Sequence, residues 1–168
     1  MSILPSHIVG TVRDLTRWAK TATTGEFCIY HAGELNVDRH RDQNINTLAD
    51  TVLLFNETGL VSLSQRRTYL NIEDVWSYHA TRTTGGYAPQ AILDGKLTSF
   101  EWRALKAVRD RDADISATRA IRDALSFVLP SSDKAANEIL EALKARRFVV
   151  EAPGKGWDLS KAGLGALS

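Results

Sequence analysis

Few residues in this chain could do covalent or metal chemistry, and they are scattered. Cys28, the only cysteine, stands three residues before His31 in Glu26-Phe-Cys-Ile-Tyr-His31. That aromatic, β-favouring run reads as a strand, and an i, i+3 spacing on a strand sends the two side chains to opposite faces. Neither a thiol–imidazole pair nor a metal site is expected from them. His40-Arg-Asp42 spells the kinase catalytic-loop tripeptide, but no glycine-rich loop, strand lysine or Asp-Phe-Gly accompanies it. His7, His31, His40 and His79 are dispersed, and H-x-E, C-x-x-C and G-x-x-x-x-G-K patterns are missing. The expectation is a protein that is not an enzyme and takes no cofactor or metal.

The polar residues that do cluster are arginines and amides, which suit phosphates and base edges. One set is Arg39-His-Arg-Asp-Gln-Asn44, and another is Gln65, Arg66, Arg67 and Arg82. From these, Arg39, Arg41, Arg67 and Arg82 are candidate DNA contacts. Arg66 and Arg67 point to opposite faces of a strand, so only one of them meets a given partner. A second group lies near the C-terminus: Ser132, Lys134 and Asn137 at the exposed start of a helix, and Lys155 between two glycines in a turn. Asp133, Glu138 and Glu141 on the same helix repel phosphates. Net charge is only +1, with 8 cationic side chains against 9 carboxylates up to Ala88 and 13 against 11 beyond it. A broad basic coat for nucleic acid is excluded, and any DNA contact must be local.

A chain with 43% hydrophobic and 24% charged residues should fold throughout. One cysteine permits no intrachain disulfide. The longest apolar run, Thr51-Val-Leu-Leu-Phe55, is too short to cross a bilayer, and the start lacks the pattern of a secretory signal. A cytoplasmic protein without membrane contact is expected. Thr83-Thr-Gly-Gly-Tyr-Ala-Pro-Gln90 has linker composition. The expected division is a module at 1–88, a linker at 89–96 and a module at 97–168.

In the first module, Ile8, Val12, Leu15 and Ala19 form the stripe of a helix over about residues 7–21, with Ser6 as its cap. The strand around Cys28 follows. A second helix runs through Ile45, Leu48, Ala49, Val52 and Phe55 to Gly59. Residues 60–67 and 75–82 alternate as the strands of an antiparallel hairpin, with Trp76, Tyr78 and Ala80 on one face. Its connection from Tyr69 to Asp74 exceeds a tight turn, so a mobile tip is expected.

In the second module, Ser99 caps a helix through Trp102, Leu105 and Val108. Asp114 or Ser116 caps another through Ile121, Ala124, Leu125 and Val128, ended by Pro130. A turn of about three or four residues then leads to a helix opening at Ser131, with Ala136, Ile139, Leu140 and Leu143 inward. Phe148-Val-Val-Glu151, a turn at 153–156 and Trp157-Asp-Leu-Ser160 form a short hairpin. The four tryptophans fall on apolar faces and are expected in the cores.

The stretch from Ala136 to Leu167 resembles the winged-helix superfamily, particularly the MarR-type and related bacterial regulators. The likeness rests on Leu140-Glu-Ala-Leu-Lys-Ala-Arg-Arg147, then Phe148-Val-Val-Glu151, a glycine-bearing turn and the phrase Leu159-Ser-Lys-Ala-Gly163. It implies a recognition helix running into a two-stranded wing, with the helix start in the major groove and the wing on the DNA backbone or minor groove. Where the helix meets the wing that superfamily often has glycine, and here Arg146 and Arg147 stand there. The first module, ordered helix, strand, helix, hairpin, reads as a second, less typical winged helix. Through Tyr30-His-Ala-Gly33 and Leu63-Ser-Gln-Arg-Arg67 it is similar to uncharacterised proteins of phages and mobile elements. The expected fold class is helix-rich α+β with tandem winged-helix modules, each with a small antiparallel hairpin. The resemblance implies a DNA-binding transcriptional regulator on double-stranded DNA, as a homodimer or with its two modules as a pseudo-dimer. The alternative is a winged-helix module that grips a protein partner, as an inhibitor or adaptor of a host complex.

Overall fold

The computed structural model describes the backbone of residues 7–70, 73–127, 132–153 and 156–168, with side chains described outside 68–74. The chain is α+β and forms two compact units, Met1–Ala88 and Pro89–Ser168. No helix among the described residues is long and apolar enough to cross a membrane.

Unit 1 begins with β1 (His7–Ile8), followed by α1 (Val12–Thr21), so the first helix is shorter than its apolar stripe suggests. Gly10 is a poor helix former, and Thr11 offers a cap in which its hydroxyl accepts the Asp14 N–H at 3.1 Å and donates to the Asp14 carboxylate at 2.7 Å. Ile8 therefore lies in a strand, opposite Ile29. Ser6, the expected cap, is outside the described residues. Next come β2 (Phe27–Ala32), α2 (Leu35–Arg41) and α3 (Gln43–Glu57). Helix α2 was not legible in the sequence because it buries none of its residues and so carries no apolar stripe. Asp42 separates it from α3, where its carboxylate caps the Asn44 N–H at 2.7 Å. Leu48, Val52, Leu54 and Phe55 of α3 are buried in a core with Leu15 and Trp18.

Strands β3 (Val61–Leu70) and β4 (Glu73–Arg82) form a long ribbon, and the sheet order is β1-β2-β4-β3. The ladder continues without a break until Leu70 faces Glu73. Strand pairing thus includes Tyr69, Leu70, Glu73 and Asp74, which the sequence reading placed in the connection. Strand β2 carries a bulge: Ile29 faces His79, and His31 faces Tyr78. The extra residue, Tyr30, reverses the expected facing of Cys28 and His31. Cys28 lies opposite Ala80 and His31 opposite Tyr78, so both fall on one side of the sheet.

Unit 2 opens with α4 (Gln90–Leu93), whose Ala91 and Ile92 are buried, so the segment read as a linker carries core residues. Then follow α5 (Ser99–Asp110), α6 (Ala117–Leu125), α7 (Asp133–Ala145), the hairpin β5 (Val149–Ala152) and β6 (Gly156–Leu159), and α8 (Lys161–Gly165). The cap of α5 is Thr98, not Ser99: its hydroxyl and the Glu101 carboxylate exchange bonds with each other's backbone N–H at 3.2 and 2.8 Å. Ser116 caps α6. That helix ends at Leu125, where the Ser126 hydroxyl turns back to the Asp123 carbonyl at 2.9 Å. Helix α7 begins at Asp133, two residues beyond the expected opening at Ser131. Val128, Pro130 and Ser131 lie outside the described residues.

The phrase Leu159-Ser-Lys-Ala-Gly163 has a local explanation. The Ser160 N–H donates to the Phe148 carbonyl at 3.0 Å, its hydroxyl donates to the Arg147 carbonyl at 2.6 Å, and its oxygen caps the Gly163 N–H at 3.1 Å. A Cβ on Gly163 would collide with the Phe148 carbonyl. The short α8 is thereby locked onto the junction of α7 and β5.

That junction is a Schellman turn, with Phe148 N–H on the Leu143 carbonyl at 2.9 Å and Arg147 N–H on the Lys144 carbonyl at 2.8 Å. Arg147 holds the left-handed position, at φ 64°. An L side chain there costs about 1–2 kcal/mol, of which glycine recovers all but its own ordering entropy. Arg147→Gly is expected to raise unfolding stability by about 0.5–1 kcal/mol in urea titration; a lower midpoint would refute the assignment of strain to this residue.

Candidate nucleic-acid interface

The ribbon places one set of side chains on each face. On the first face Leu63, Gln65 and Arg67 of β3 stand opposite Ala80, Tyr78 and Trp76 of β4. Arg67 lies over the Trp76 ring at 5.4 Å, and Trp76 and Leu63 are each 37% exposed. Trp76 is therefore not a core tryptophan, in contrast to Trp18 and Trp102. From there aromatic contacts run inward: Tyr78 sits 6.2 Å from Tyr30 and 5.8 Å from His31. His31 Nε2 is 2.9 Å from an Asp38 carboxylate oxygen, which ties β2 to α2. Burial raises the Tyr30 hydroxyl to about 12, aided by Tyr78 and Cys28 and opposed by the Arg39 charge.

On the second face Ser77 and His79 are buried on β4, two residues apart. The Ser77 hydroxyl lies 3.2 Å from the Arg66 carbonyl, to which it donates, so its oxygen accepts an N–H from His79 Nε2 at 2.8 Å. The imidazole stacks on Phe27 at 5.3 Å. Burial, and then the Arg66 charge, hold its pKa below the ordinary value. Burial likewise pushes the Cys28 thiol up to about 12, which keeps it a thiol rather than a nucleophilic thiolate. Among the described residues no group of three or more His, Cys, Asp or Glu could hold a metal ion.

The candidate contacts fall in different settings. Arg39 of α2 donates from Nε and Nη2 to Oδ1 of the Asn46 side-chain amide at 3.0 and 2.9 Å, so its guanidinium is fixed against α3. Arg41, at the end of α2, is exposed, as are Gln43 and Asn44 at the start of α3. From Asn46 to Phe55 that helix is buried except for partial exposure at Thr47 and Leu53. Arg82 donates to the carbonyls of Leu60, Thr83 and Gly85 at 3.1, 3.4 and 3.4 Å, and thus braces the loop after β4.

In unit 2, Ser132, Lys134 and Asn137 share the first turns of α7. Ser132 caps the Ala135 N–H at 3.2 Å, and Asn137 accepts from the Thr118 hydroxyl at 2.9 Å. Lys134 is 87% exposed and 4.0 Å from Glu138. Asp133 binds Arg122 at 2.9 Å, and Lys144 binds Glu151 at 3.2 Å while lying over Trp157. Arg146 pairs with Glu101 at 2.6 Å. Lys155 lies outside the described residues. Sequence reasoning missed the Arg67–Trp76 pairing, whose only signal was the hairpin register. No family model, no curated protein and no solved structure matches the chain.

The buried imidazole gives unit 1 a pH dependence of known sign. Folding favours neutral His79, while the unfolded imidazole titrates near 6.5, so the unfolded chain binds the proton first. The contribution is complete above about pH 6.5 and declines as pH falls below it toward the depressed folded value. His79→Gln, which keeps an N–H for Ser77, is expected to reduce the loss of urea stability between about pH 7 and 5. The same loss in variant and wild type would contradict this.

Proposed function

We propose that the chain is a DNA-binding regulator built from two winged-helix units, and that unit 1 makes the principal contact. Each unit runs from helices into an antiparallel ribbon, and unit 1 adds a strand between its helices that pairs with the second ribbon strand. In this reading the first turn of α3, with Gln43, Asn44 and the neighbouring Arg41, meets base edges, and the ribbon face with Arg67 meets the phosphate backbone. The carrying observation is the contrast between the units. Unit 1 exposes arginines and amides with no carboxylate along residues 62–67 of its ribbon, and Arg41, Gln43 and Asn44 at its helix start, whereas the exposed side of α7 carries Asp133, Glu138 and Glu141 beside its lysines. Arg39 and Arg82 act as braces for that surface, and Ser132, Lys134 and Asn137 contribute secondary contacts. A cytoplasmic location follows from such a role.

A second reading applies to unit 2. The exposed side of α7 carries Asp133, Glu138 and Glu141 against Lys134 and Lys144. This acidic balance favours a protein partner for that helix over phosphate.

Fluorescence anisotropy with mixed-sequence duplex DNA, across a salt series, tests the assignment. Arg41→Ala/Arg67→Ala is expected to weaken binding roughly tenfold or more and to lower the log–log salt slope by about 1 for each phosphate that is no longer neutralised. Lys134→Ala/Asn137→Ala should stay within about twofold of wild type. No salt-dependent binding at low salt, or a double arginine variant indistinguishable from wild type, would overturn it.

A further inference from the structure

We infer that the His31–Asp38 bond is a positioning device: it holds α2 in place and thereby sets Arg41 beside Gln43 and Asn44, the surface on which the DNA-binding reading above rests. Helix α2 has seven residues, too few to be stable alone in water. It buries none of them, and Glu34 at its N-cap makes no side-chain cap bond. Val37 is exposed and Leu35 only half-buried. Apolar packing therefore does little to place this helix, and its polar contacts must do so.

Among the described residues, Asp38 and Arg39 are the side chains of α2 that bond to the rest of unit 1. Neighbouring positions on a helix point about 100° apart, so the two reach different elements. Asp38 accepts from His31 Nε2 on β2 at 2.9 Å, and Arg39 donates to the Asn46 amide oxygen on α3. One attachment alone would let the helix pivot; attachment to two elements fixes its direction. The His31 and Asp38 side chains are only 10% and 33% exposed, so water competes little for their bond. Two local features are arranged around this pair. The bulge at Tyr30 brings His31 opposite Tyr78. Gly33, at φ 131°, leaves the pair its space: a Cβ there would lie 2.9 Å from Asp38 Oδ2 and 3.3 Å from His31 Nε2.

Asp38 also reaches the junction with α3 through its backbone, since its carbonyl accepts the Asp42 N–H at 2.9 Å. Arg41 lies between these two residues, as the last of α2, and is exposed. Gln43 and Asn44 begin α3, which is held by its buried Leu48, Val52, Leu54 and Phe55 and by the Asp42 cap. The amides of the proposed contact are thus anchored by the core, whereas the arginine is anchored by α2. Release of Asp38 from His31 should free Arg41 and leave Gln43 and Asn44 where they are.

Quench-flow amide hydrogen exchange on the full chain, without nucleic acid, tests the bond independently of DNA. Asp38→Ala is expected to speed exchange at residues 39–42 by about tenfold or more and to leave Val52, Leu54 and His79 unchanged. Asp38→Asn, whose amide oxygen still accepts from His31, should stay near wild type. A double-mutant cycle with duplex DNA then tests the link to Arg41: Arg41→Ala should weaken binding about threefold in the wild-type background and hardly at all in Asp38→Ala. Unchanged exchange at residues 39–42 overturns the inference. So does faster exchange at Val52, Leu54 and His79 as well, because the bond would then support the whole unit. An Arg41→Ala effect of equal size in both backgrounds also overturns it. A chain that binds no duplex DNA at all refutes the DNA-binding reading and with it the role of Arg41, while the exchange result still decides whether the bond holds α2.

Discussion

Strand β4 is the element on which unit 1 depends. It lies between β2 and β3 and bonds to both, so its register fixes every other placement in the sheet. Ala80 faces Cys28 in the interior, where neither is solvent-exposed. On the other face Ser77 and His79 bond to each other in a position that costs a protonatable group its charge. At the far end, beyond the bulge at Tyr30, the same strand sets Trp76 opposite Arg67 in solvent. One strand thus joins a buried core to an exposed cationic surface.

Unit 2 is organised by local contacts rather than by a central strand. Helix α7 turns sharply into β5 through the Schellman turn at Arg147, and Ser160 fastens β6 and α8 to the same few carbonyls. Some of its surface charges pair with neighbours, as in Arg122 with Asp133 and Arg146 with Glu101. Exposed ion pairs of this kind stabilise little. Similar element order in the two units therefore goes with different surfaces, and fold alone does not assign a role.

The sequence revealed those features whose signals are local. A cap for α6 at Asp114 or Ser116 and the alternation of the ribbon could be read directly because neighbouring residues decide them. Features decided by distant partners could not. The stripe at Ile8 continues that of α1 only by coincidence, since Ile8 pairs with Ile29 on β2. The bulge at Tyr30, which sets His31 on the side of Cys28, depends on the register with β4. Helix α2 buries nothing, and Arg39 and Arg82 look like free cations until Asn46 and the carbonyls around Leu60 come into place. The basic residues of unit 1 were legible as a set, but the distinction between braces and exposed contacts was not.

If unit 1 makes the principal contact, nucleic acid must be felt on its ribbon and at the start of α3 before it is felt on α7. Titration of the isotope-labelled full chain with duplex DNA, followed by two-dimensional NMR, measures this residue by residue. The expected result is perturbation of Gln43, Asn44, Gln65, Arg66, Arg67 and the Trp76 indole N–H, with Lys134 and Asn137 nearly unmoved. Shifts confined to α7, or none at low salt, would contradict it.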